Sequence, residues 1–125
     1  MSNNKQPTFG NGKICYIEIP AIDIDVSSAF YQTVFGWDVR KREDGSVGFD
    51  DGVGEVSGSW VIGRKPHVDA GVMISIMVDD MEASLKSLVS QGGKITRPVG
   101  ADHPEITAQF SDPAGNIFGL YQHRG

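Results

Sequence analysis

Along Ile14 to Pro20 the residues Cys15, Ile17 and Ile19 fall on one face, and Ile14, Tyr16 and Glu18 on the other, a period of two that predicts a strand. The spacing then lengthens. Asp23 and Asp25 stand where carboxylates favour a helix start, Val26, Phe30 and Val34 follow at helical intervals, and Gly36 suits a left-handed stop. Trp37 to Lys41 and Val47 to Asp50 flank Asp44-Gly45, a dipeptide suited to a tight hairpin turn, and Glu55 to Gly63 reads as one more strand. After a polar connection containing Pro66, the same order returns. Val72, Ile74, Ile76 and Val78 alternate with Met73, Ser75 and Met77 as a strand; Asp79, Asp80 and Glu82 open a helix whose buried stripe is Met81, Leu85, Leu88 and Val89, and Gly92-Gly93 ends it. Lys94 to Arg97, Ile106 to Ser111 and Ile117 to Gln122 complete a second set of three strands, with Asp112-Pro113-Ala114-Gly115 matching a type I turn.

A gapless offset of 57 residues lays Ile19 on Ile76, Asp23 on Asp80, Ser27 on Ser84 and Gly36 on Gly93, so the pattern reads as an internal duplication. The expected fold class is α+β: two tandem βαβββ modules forming a curved mixed sheet around a trough, with the helices on the outside. Residues 1–12, polar and rich in Asn and Gly, read as a flexible arm, and 13–125 as one domain. Within it, module one spans about 13–63, a linker 64–71 and module two 72–122.

Composition narrows the partners more than the fold. With 11 basic against 16 acidic residues the net charge is −5 and there is no basic stripe, so nucleic acid is not an expected partner. No apolar run reaches the roughly 18 residues of a membrane span. The lone Cys15 and an N-terminus without an apolar leader core predict a cytoplasmic protein. His67, His103 and His123 form no close-spaced pair and read as solvent-facing.

Three stretches carry a resemblance: Glu18-Ile19-Pro20 with Ala29-Phe30-Tyr31 and Phe35-Gly36-Trp37; Val78-Asp79-Asp80-Met81 running to Gly92-Gly93-Lys94-Ile95; and Asp112-Pro113-Ala114-Gly115-Asn116 with Gly119-Leu120-Tyr121. In order and spacing they resemble the vicinal oxygen chelate superfamily of glyoxalases, bleomycin-resistance proteins and extradiol dioxygenases, over about residues 13–122. The resemblance implies a small-molecule ligand and a homodimer. In metal-dependent members one ligand comes from the first and one from the last strand of each module. Those positions fall here on Tyr16, Met73, Gly119 and near Gly58, which offer a divalent ion no ordinary ligand set, so neither a metal nor another cofactor is expected.

If Ile17 and Ile19 face the first helix, the period of two sends Tyr16, Glu18, Met73, Ser75 and Met77 to the trough, with Trp60, Phe110 and Tyr121 as further lining. Such a surface suits a small aromatic or amphipathic molecule, although Met73 and Met77 serve equally as packing. Glu18 stands out, because an inward carboxylate requires donors or a solvated cavity. It reads either as a general base next to a carbonyl or as a hydrogen-bond acceptor that holds the modules in register. Three functions stay open at this point: a metal-independent binding protein, a glyoxalase-like lyase, isomerase or dioxygenase, and a purely structural module.

Overall fold

Each half of the chain builds one four-stranded mixed sheet with one helix. The computed structural model describes residues 6–68 and 71–124. Residues 1–5 of the expected arm, 69–70 of the expected linker and Gly125 lie outside the described residues. The first half runs β1 (Tyr16–Ala21), α1 (Ile24–Phe35), β2 (Asp38–Lys41), β3 (Val47–Asp50) and β4 (Ser57–Ile62). The second runs β5 (Ser75–Met77), α2 (Met81–Ser90), β6 (Lys94–Arg97), β7 (Ile106–Ser111) and β8 (Ile117–Gln122). Strand orders β1-β4-β3-β2 and β5-β8-β7-β6 are the same pattern twice, with the first strand of each module parallel to its last. The duplication read from the 57-residue offset is therefore a duplication of topology. Among the described helices none is long and apolar enough to cross a membrane.

Local chemistry fixes the element ends. Asp23 caps α1, its Oδ1 accepting from the backbone N–H groups of Asp25 (3.0 Å) and Val26 (3.2 Å). Gly36 closes it at φ 72°, in the left-handed region where a side chain is strained, and donates its N–H to Gln32 O. Asp80 repeats the cap at α2 through Ala83 N, 3.1 Å away. The same end of α2 is tied down by Gln122 of β8, whose Oε1 accepts from Met81 N at 2.7 Å. The second module's first strand is shorter than its alternating pattern: Ser75–Met77 runs in register with β8, and Ile74 and Val78 add one backbone bond each to it at the two ends.

One aromatic core joins the two halves. Tyr31 stacks on Trp37 (4.6 Å between centroids) and Trp37 on Phe49 (4.5 Å), while Phe30 and Phe35 reach Phe110 across the duplication at 6.0 and 5.7 Å. Beside these rings lies a buried polar knot. Asp112 Oδ2 accepts the Tyr31 hydroxyl at 2.8 Å and the Asn116 amide at 2.9 Å, while its Oδ1 accepts the backbone N–H groups of Ala114 and Asn116. Asn116 Nδ2 also donates to Pro20 O at 2.7 Å, and its Oδ1 accepts from His67 N at 2.7 Å. β1, α1, the connection and the turn before β8 therefore meet at two side chains.

Burial pushes the Tyr31 phenol well above its ordinary 10.0, and the negative charge of Asp112 and the bond to it push the same way. Below that ordinary value both folded and unfolded chains hold the proton, so Tyr31 adds no pH dependence there. Above it the unfolded chain releases the proton while the folded one keeps it, and stability falls by about 1.4 kcal/mol per pH unit until the folded group also titrates. Chemical denaturation between neutral pH and pH 11 is expected to show this slope in the wild type and to lose it in Tyr31→Phe.

Candidate functional site

Strand register divides the expected site residues between two faces. Tyr16 and Glu18 pair with Ser57 and Ser59 in β4 and share their face, whereas Ile17 and Ile19 pair with Gly58 and Trp60 on the helix-covered face. In the second sheet Ser75 and Met77 pair with Gly119 and Tyr121, while Ile76 pairs with Leu120 on the covered side. Tyr16, Glu18, Ser75, Met77 and Tyr121 thus lie on the faces that carry no helix, with Tyr16 49% and Met77 65% exposed. Met73 precedes β5 near Gly119, its Cγ 3.7 Å from where a side chain on that glycine would begin.

Trp60 and Phe110 correct the sequence reading. Trp60 falls in register with Ile19, and Phe110 with Phe118, which places both on the covered faces at 3% and 0% exposure. They are core residues in the aromatic cluster around Tyr31. His67 corrects it too. Its ring lies 6.2 Å from Phe118, and its Nε2 is buried without a hydrogen-bond partner among the described residues.

Glu18 does find a donor. Arg64 Nη2 lies 2.9 Å from its Oε1, and both side chains are about half exposed. An exposed pair of this kind contributes little to stability. Around it the open face of the first sheet is polar: Arg40 pairs with Asp50, Ser57 Oγ donates to Asp50 Oδ1 at 2.7 Å, and Tyr16 Oη donates to Ser59 Oγ at 3.0 Å.

The same register settles the fourth of the four strand positions. Gly119 stands opposite Ser75, and the residue standing opposite Glu18, the counterpart of Ser75, is Ser59 rather than Gly58. The set is then Tyr16, Ser59, Met73 and Gly119: two neutral hydroxyls engaged with each other, a thioether and a glycine. A divalent ion requires several converging carboxylate, imidazole or thiolate donors, and these residues do not fit one. Among the described residues no group of three or more His, Cys, Asp or Glu side chains is placed to hold a metal ion.

Sequence reasoning missed a concavity whose wall is made mostly of covered-face residues. Between the modules lies a cavity of about 420 Å³, walled chiefly by Ile17, Phe35, Trp37, Phe49, Ile76 and Phe118. Ser75 and Met77 are the expected residues that also line it. Asp51 sits at its edge, in the loop from β3 to β4. That loop is held from outside. Glu55 takes Thr8 N and Thr8 Oγ1 at 3.0 and 3.2 Å, and Lys13 at 3.4 Å, drawing the described part of the N-terminal segment against it. The volume falls within the roughly 300–1,000 Å³ usual for small-molecule sites, and the walls are mostly aliphatic and aromatic.

Two βαβββ modules with a shared aromatic core and a ligand-sized concavity define the class of glyoxalase-fold proteins. Residues 13–120 match the Glyoxalase/Bleomycin resistance protein/Dioxygenase superfamily, and the chain belongs to it. A glyoxylase-like domain-containing protein of Didymella fabae is 26% identical, covering 92% of this chain and 97% of its own length. A lactoylglutathione lyase of Haemophilus influenzae is 29% identical, over 74% of this chain and 79% of its own. Among solved structures, the fosfomycin resistance protein FosX of Listeria monocytogenes superposes with a TM-score of 0.73 at 14% identity, covering 90% of this chain and 91% of that one. At that identity the likeness concerns the fold alone.

Proposed function

We propose that this chain binds one small, largely apolar molecule without a catalytic metal, in the cavity between its modules. The observation that carries this reading is the cavity itself: ligand-sized, lined mainly by side chains that bind through area burial and ring stacking, and formed jointly by both modules. The donor set at Tyr16, Ser59, Met73 and Gly119 supports the metal-free part. Of the open-face residues that the alternation marked for ligand contact, Ser75 and Met77 belong to its wall, while Tyr16, Glu18, Met73 and Tyr121 stand outside it.

The lyase among the relatives favours a second reading, in which Glu18 removes a proton next to a carbonyl. Against it, Glu18 is paired with Arg64 on an open face, and no donor set there suits an ion to stabilise the enolate.

N-phenyl-1-naphthylamine, a neutral apolar fluorophore, is expected to bind saturably at one molecule per chain. Ile76→Phe, which adds volume inside the cavity, is expected to weaken it roughly tenfold or more. Absence of saturable binding, or binding untouched by Ile76→Phe in a folded variant, refutes the proposed site. Elemental analysis of protein purified without chelator is expected to find less than one divalent ion per chain. One tightly held ion per chain, or turnover of a hemithioacetal with added nickel or zinc, refutes the metal-free reading.

A further inference from the structure

The polar part of the cavity has one sign of charge. Among the described residues Asp51 is its only charged lining residue, and the loop fixes that carboxylate through one oxygen. Oδ1 accepts the backbone N–H groups of Glu55 at 2.8 Å and Val56 at 3.2 Å, while Asp51 N donates to Val56 O at 2.8 Å and Gly54 N to Asp51 O at 3.0 Å. Oδ2 has no hydrogen-bond partner among the described residues, and no basic side chain pairs with it there. The carboxylate is thus held in place with one oxygen to spare, half-buried beside an apolar wall.

The hollow beside the cavity repeats that sign. A broader depression shares Phe35, Gly52, Val53 and Met77 with it and adds Asp79 and Asp80. Among the described residues no Lys, Arg or His lines either hollow. Together the two hollows present three carboxylates and, among the described residues, no cation. An anion would be repelled in both hollows, and a neutral molecule would leave Asp51 Oδ2 to water. A bare metal ion is not matched either, since the carboxylates do not gather into a metal-holding group and the remaining walls are chiefly hydrocarbon.

We propose that the cavity selects a small amphipathic organic cation, a protonated amine on an aromatic or aliphatic frame. Its body lies among Phe35, Trp37 and Phe118, and its ammonium donates to Asp51 Oδ2. This rests on the reading that the cavity binds a small molecule, and adds the ligand's charge. A charge-assisted hydrogen bond at a half-buried carboxylate supplies the discrimination.

The test uses three ligands of one shape, 2-naphthylmethylamine, 2-naphthylmethanol and 2-naphthoate, titrated calorimetrically at neutral pH and low salt into wild type, Asp51→Asn and Ile76→Phe. The amine is expected to bind roughly tenfold tighter than the alcohol, and the carboxylate weakest. In Asp51→Asn the amide oxygen still accepts from Glu55 and Val56, so the loop is kept; the amine should fall to the alcohol's affinity while the alcohol is unchanged. Amine and alcohol binding wild type equally, or a preference that survives Asp51→Asn, overturns the cation inference and leaves the binding reading standing. Failure of all three ligands to bind wild type, or alcohol binding unaffected by Ile76→Phe, overturns the binding reading beneath it. If Asp51→Asn loses the circular dichroism of the folded protein, salt decides: the wild-type preference for the amine must shrink as ionic strength rises to about 1 M, and a preference indifferent to salt refutes the inference.

Discussion

Asp112→Ala is expected to destabilise the protein by roughly 3–5 kcal/mol, the range for breaking a buried, hydrogen-bonded charge from one side. Asp112 is 3% exposed and its carboxylate receives four hydrogen bonds. Removing it strips the Tyr31 hydroxyl and the N–H groups of Ala114 and Asn116 of their acceptor at the point where the modules join. Tyr31→Phe should cost far less, about 1–2 kcal/mol, because Asp112 keeps its other three donors and the ring keeps its stack on Trp37. Urea denaturation of the two variants checks the order. A loss below about 1 kcal/mol in Asp112→Ala would show that the modules are joined by their rings alone.

Gly58→Ala is expected to be worse still, for steric reasons. A Cβ built on Gly58 would lie 2.1 Å from Ile17 O and 2.3 Å from Phe49 Cζ, distances that folded proteins do not tolerate. Backbone and a buried ring both block it, so the β1–β4 pairing must open. The expected result is loss of more than about 4 kcal/mol, seen as insoluble expression or loss of near-ultraviolet circular dichroism. Gly119→Ala makes the control. Its nearest obstacle is the Ser75 Oγ at 2.6 Å, the tip of a side chain that can rotate aside, so the variant should fold. Equal tolerance at both positions would mean that β1 and β4 are less closely held than their register indicates.

These two glycines also show where the sequence speaks and where it is silent. The residue pattern paired them as equivalent strand positions, yet they face opposite sides of their sheets: Gly58 lies in register with Ile17, and Gly119 with Ser75. The elements themselves were legible, because Ile17/Ile19 and Ile74/Ile76 alternate cleanly and Asp23 and Asp80 mark the helix starts. In Ser57–Ile62 no apolar alternation sets the facing, and the aromatic content of Trp60 and Phe110 says nothing about direction. Both went to the wrong face for that reason. The cavity had no local signal at all, since its wall joins Phe35 and Trp37 to Ile76 and Phe118 through packing between modules. Asp51 carries no signal in the sequence either, because what sets it apart is the fold: Glu55 N and Val56 N hold its Oδ1, while Oδ2 has no partner among the described residues.

The polar knot also bears on synthesis. Its early members, Pro20 and Tyr31, find their partners at Asn116 and Asp112, 96 and 81 residues later. A chain emerging from the ribosome with its first half complete therefore carries Tyr31 without its acceptor and Phe30 without Phe110. The duplicated halves have ceased to be separable units: the earlier one waits, unfinished, for the last strands to be made.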